Sequence, residues 1–171
     1  SDVDVTAMVV QALAPYRSGT PDAADGVDEA VEAALGLLSG RQLADGGYES
    51  YGKENAESAA QVILALTALG IDPETDGRFV KDASVVDALL SFREDGGGFR
   101  HTADGGENET ATVQAYCAAV ALLRLREGRG SFFALDGEKT ALPAPVYTSG
   151  GSGTGGEPSG GAAGTEDGQS G

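Results

Sequence analysis

Polar side chains that could do chemistry recur three times, each time just ahead of a long apolar run. Asp2-Val-Asp4 precedes the first, Asn55-Ala-Glu57 the second and Asn108-Glu-Thr110 the third. Four rings stand near them in the sequence: Tyr48, Tyr51, Phe99 and His101, the chain's one histidine. Gathered at one mouth, amide, carboxylate and aromatic groups of this kind would bind a neutral or cationic small molecule, or a peptide. On that reading Asp2, Asp4, Asn55, Glu57, Asn108 and Thr110 are candidate ligand-binding residues, together with Tyr48, Tyr51, Phe99 and His101. The same residue types also have a purely architectural use. Asparagine and aspartate cap helix N-termini, and a glutamate in the first turn complements the helix dipole.

Other chemistries find little to work with. Zinc needs several nitrogen or sulfur ligands, and only His101 and Cys117 are present. Cys117 lies in YCAAVALL, where a thiol reads as a small core hydrophobe. A nucleophilic triad lacks both a second histidine and a serine elbow motif. Asp95, Asp104, Glu107 and Asn108 cluster in one loop region, but their spacing is not that of a calcium-binding EF-hand. No metal and no cofactor is expected.

The 171 residues carry 11 Lys and Arg against 27 Asp and Glu, a formal charge of −16. Such a polyanion repels phosphate backbones and anionic lipid surfaces, which argues against nucleic-acid and membrane partners. No apolar run approaches the roughly 20 residues of a bilayer span. One cysteine makes no internal disulfide, and no basic segment followed by an apolar one opens the chain. From Thr148 to Gly171 the sequence holds ten of the 27 glycines and nothing large to bury. Residues 147–171 are therefore expected to form a flexible Gly/Ser-rich linker or tail, with folding confined to residues 1–146.

Within that folded part, glycine interrupts helical periodicity. Thr6–Tyr16, Ser58–Gly70 and Thr112–Leu125 are apolar nearly all round, the mark of buried helices. Val27–Gly40 and Ser84–Phe92 are amphipathic, and no alternating strand pattern is evident. Ala12, Ala65 and Ala118 recur at a spacing of 53 residues, as do Val9 with Val62 and Leu69 with Leu122. Each amphipathic segment runs into a similar turn, QLADGGY (Gln42–Tyr48) and REDGGGF (Arg93–Phe99). The expectation is an all-α array of helix pairs, three apolar helices inside and two outside, curved so that the inner N-termini share one rim.

These motifs resemble the α/α-toroid superfamily of terpene cyclases and protein prenyltransferases. QLADGGY is similar to that group's QW-type repeat, with Tyr48 in place of tryptophan; the second copy carries Arg93 and Phe99. SDVDVTA resembles the Asp-rich motif of class II terpene cyclases, matching at Asp2, Asp4, Thr6 and Ala7, with Val5 where the motif ends in Asp. NAESAAQVILALTALGID and NETATVQ are similar to bacterial surface proteins carrying prenyltransferase-like repeats. The resemblance covers about residues 2–135. It implies a partial toroid, since a complete one has about six helix pairs, and hence a partner that closes it: preceding N-terminal repeats or a second chain. It implies a non-catalytic ligand-binding or scaffolding domain of a bacterial cell-surface or secreted protein. As the alternative, it implies a fragment of a class II, squalene-type cyclase with Asp4 as general acid. Carbocation chemistry would need aromatic faces, and this chain has no Trp and is 6% aromatic.

Overall fold

A computed structural model describes residues 2–134. The boundary at residue 146 and the tail at 147–171 lie outside the described residues. Five α-helices are connected by turns and two small antiparallel pairs: α1 (Val3–Leu13), α2 (Val27–Arg41), α3 (Ala56–Ala68), α4 (Val85–Ser91) and α5 (Glu109–Arg126). The pairs are β1 (Glu49–Ser50) with β2 (Lys53–Glu54), and β3 (Phe99–Arg100) with β4 (Glu107–Asn108). The fold is thus mostly helical, and the expectation of no strands is corrected at these two places. Each pair is only two residues long, too short to leave an alternating pattern.

The helix boundaries follow from their ends. Asp2 caps α1, its Oδ1 accepting from the N–H groups of Asp4 at 2.9 Å and Val5 at 3.2 Å. Asn55 Oδ1 accepts from Ser58 N at 2.9 Å, and Asn108 Oδ1 from Ala111 N at 3.0 Å, which start α3 and α5. Ser84 and Asp87 cap each other's backbone at the start of α4. Pro15 turns the end of α1 into a short 3₁₀ turn over Ala14–Tyr16. Gly70 ends α3 at φ +74°, with Ile71 N donating to Leu66 O at 2.9 Å.

The inner helices lie in the order α1, α3, α5, with α2 packed on α1 and α4 on α3. A hydrogen-bonded row of amides crosses them. Gln11 Nε2 donates to Gln61 Oε1 at 3.0 Å, and Gln61 Nε2 donates to Gln114 Oε1 at 3.0 Å. Burial differs sharply along this row. On α3, ten of the 13 residues are buried, including Ala59, Ala60, Val62, Ile63, Ala65 and Leu66. On α1 and α5 the expectation of buried helices fails for one side each: Val5, Met8 and Val9, and Val113, Tyr116, Val120 and Leu123, are exposed. Only α3 has an inner helix on both flanks. No closed ring is present among the described residues.

Candidate functional site

The leading ends of α1 and α3 and the tip of the first hairpin meet around a cleft of about 430 Å³. Asp4, Ser50, Tyr51, Lys53, Asn55, Glu57 and His101 line it. Five of these residues were singled out from sequence, and they arrive from three separate chain segments. Asp4 sits in the first turn of α1, Asn55 and Glu57 begin α3, and Tyr51 is in the β1–β2 turn. His101 follows β3, where its carbonyl accepts from Ala56 N at 3.0 Å and so ties the second hairpin to the start of α3.

Its ring is held too. His101 Nδ1 and Glu57 Oε2 lie 2.7 Å apart. An ionised carboxylate only accepts, so Nδ1 carries the proton and Nε2 is left for other partners. Glu57 is shielded from solvent, its side chain 14% exposed against 53% for His101. Lys53 brings a positive charge to the cleft lining, its ammonium 4.0 Å from the Asp104 carboxylate.

The hairpin tip is unusual. The register Glu49↔Glu54 and Ser50↔Lys53 leaves Tyr51 and Gly52 as a two-residue turn, and both have positive φ, 52° and 75°. That turn favours Asn-Gly, because a bulky residue is strained there. Tyrosine nevertheless occupies the position and is 99% exposed. A strained, fully solvated ring beside a polar cleft contributes nothing to the core.

Asp4 differs from its neighbour Asp2. Burial raises the pKa of Asp4 above the usual aspartate range, and the charges of Asp2 and Glu57 push the same way; the Ser58 and Ser50 hydroxyls pull it partly back. Asp4 Oδ1 and Ser58 Oγ are both buried, and the Ser58 hydroxyl lies close to the Asp4 carboxyl. Asp2 is instead spent in the cap: the Val5 and Asp4 N–H groups and the Ser50 hydroxyl, at 3.0 Å, hold its pKa low.

This difference has a pH consequence. Folded Asp4 holds its proton more tightly than the unfolded chain does, so ionised Asp4 costs stability once the pH exceeds both values. Asp4→Asn is therefore expected to raise the melting temperature at pH 7. The gain should fade as the pH drops to about 3, where Asp4 is protonated in both states. Calorimetric melts at the two pH values check this; an equal gain at both would assign the effect to packing rather than charge.

The other sequence candidates go elsewhere. Tyr48 is 0% exposed and belongs to the core, so its assignment to a ligand rim is corrected: a ring following Gly46-Gly47 folds inward over the helix ends. Phe99 is likewise buried, stacked edge-on to Tyr116 with ring centroids 6.2 Å apart. Asn108 serves as the α5 cap and Thr110 is exposed on its first turn; neither lines the cleft. Among the described residues, no three His, Cys, Asp or Glu side chains gather as a metal site would require, Asp95, Asp104 and Glu107 included. No helix among the described residues is long and apolar enough to cross a membrane.

Ser50, Lys53 and Ser58 escaped the sequence reading. Their one signal was position, since Ser50 and Lys53 flank Tyr51-Gly52 and Ser58 follows Glu57. Compared with protein-family models, with curated proteins and with solved structures, the chain matches none.

Proposed function

We propose that residues 2–134 form a non-catalytic ligand-binding repeat domain of the α/α-toroid type, from a bacterial cell-surface or secreted protein. Its ligand is a small molecule or peptide presenting a cationic group to the cleft. The observation carrying this reading is the convergence of Asp4, Glu57, His101 and Tyr51 on one opening. Glu57 supplies a shielded negative charge, the half-buried Asp4 carboxyl a second acid group, and the Tyr51 face is free to cover a cation. The chain's charge of −16 draws cations toward any such opening. The helical row and the glycine-aromatic turns support the toroid assignment, which rests on the resemblance of QLADGGY and SDVDVTA.

The test is calorimetric titration with a short lysine-containing peptide. Saturable binding is expected. Glu57→Gln should weaken it about tenfold or more, equivalent to about 1.4 kcal/mol. Tyr51→Asn, which suits the left-handed turn better than tyrosine, should weaken it while leaving the fold at least as stable. Absence of binding by the parent chain, or equal affinity in both variants, would refute the reading.

The match of SDVDVTA to the Asp-rich motif, with Asp4 half-buried at the cleft, favours a second reading, a class II-type cyclase fragment in which Asp4 protonates a polyprene. Against it, the cleft has one phenol face and several charges where a carbocation would need a greasy aromatic wall. Polyprene turnover lost specifically in Asp4→Asn would replace the first reading with this one.

A further inference from the structure

On the two flanking helices, bare apolar faces and unspent hydrogen-bonding groups occur together. Val5, Val9 and Ala12 are exposed on α1 at i, i+4 and i+7, which makes them one stripe. On α5, Val113, Tyr116 and Val120 do the same at i, i+3 and i+7. The repeat says what such positions do when a neighbour is present. One 53-residue period later, Val5, Val9 and Ala12 become Ser58, Val62 and Ala65 of α3; one period earlier, Val113, Tyr116 and Val120 become Ala60, Ile63 and Thr67. All six counterparts are buried, in the one inner helix flanked on both sides.

The glutamine row adds a direction. Each amide donates toward α5, from Gln11 to Gln61 and from Gln61 to Gln114. Neither Gln114 Nε2 nor Gln11 Oε1 makes a further hydrogen bond to a described residue, and both side chains are part-exposed. The two ends of the row therefore complement each other and not themselves.

We infer that a second copy of this chain docks head to tail. Its α1 stripe covers the α5 stripe of the first copy, with Gln114 Nε2 of one donating to Gln11 Oε1 of the next. The stripes follow the 53-residue register of the α1–α3 and α3–α5 packing, while the glutamine contact is offset by one turn, as Gln11 is from Gln61, 50 residues on. It uses different surfaces on the two copies, so it does not close on itself as a twofold dimer does and can propagate. Burial of both stripes drives it, and the like charge of the copies opposes it, so salt strengthens it by screening.

Sedimentation of the full chain over a range of concentrations tests this. The average mass is expected to rise past that of a dimer, and to rise further with added salt. Val9→Lys and Val113→Lys, each at an exposed position without an internal side-chain bond, should separately reduce the protein to monomer with unchanged melting temperature. Mixed together, the two variants should form a heterodimer and nothing larger, because each keeps the face that the other lacks. Gln114→Ala should weaken association without altering either stripe. A parent chain that stays monomeric at every concentration and salt level would overturn the inference. So would a mixture of the two variants that fails to pair, since that identifies a twofold contact instead.

Discussion

Gly46→Ala is expected to lower the unfolding free energy by about 2–4 kcal/mol, read as a downward shift of the denaturation midpoint. Two independent costs combine at this residue. Its φ of +88° lies in the left-handed region, which a Cβ disfavours. A Cβ there would also collide with the Ser84 carbonyl and come within 2.8 Å of the Ala83 oxygen. Backbone cannot yield as a flexible side chain can, and Ser84 is the cap of α4. Relief would therefore push the turn away from that helix. The turn is pinned from below as well: Gln42 Nε2 donates to Gly46 O at 3.1 Å and to Phe79 O at 2.8 Å. Gly52→Ala provides the control, having positive φ but open space around the site. It should cost about 1 kcal/mol. Equal losses at the two positions would mean that steric collision plays no part at Gly46.

Tyr48→Ala is expected to cost about 3–5 kcal/mol, as for other large aromatic side chains removed from a closed core. Tyr48 is fully enclosed, beside Phe79, Leu35 and Leu38 among the largest buried side chains. Its hydroxyl has no partner among the described residues, and burial pushes the phenol's pKa well up. An enclosed hydroxyl without a partner contributes nothing favourable, so Tyr48→Phe should leave stability unchanged or raise it. Chemical denaturation of the two variants separates packing from polarity. If Tyr48→Phe were as damaging as Tyr48→Ala, a bond from the phenol would be carrying the site. Cationic-peptide binding should survive in Tyr48→Phe, since the ring does not reach the cleft.

Helix existence was legible because it depends on neighbours close in sequence. Asn55, Ser84, Asn108 and Gly70 marked ends that local hydrogen bonding enforces. The 53-residue spacing correctly paired α3 with both neighbours, as the bond from Gln61 to Gln114 demonstrates. Burial was harder to read. α1 and α3 are similarly apolar, yet only α3 is enclosed, because exposure depends on what stands beside a helix as well as on its own residues. The same limit applied to the rings. Tyr48 and Tyr51 are three residues apart and equally aromatic, but one closes the core and the other stands in solvent. Tyr48 follows the Gly46 turn that packs against the start of α4, whereas Tyr51 stands in the β1–β2 turn itself. The cleft was half legible: the leading residues of α1 and α3 could be placed from the repeat, whereas Ser50 and Lys53 depended on a two-residue turn with no alternating pattern to announce it.

The β1–β2 tip is joined to the rest by its backbone pairing, while Tyr51 itself rests on nothing. Folding instructions sit in the flanking glycines, caps and enclosed rings, so the tip is spared from them. That one residue is open to exchange without renegotiating the architecture, much as a key's teeth are recut on an unchanged blank.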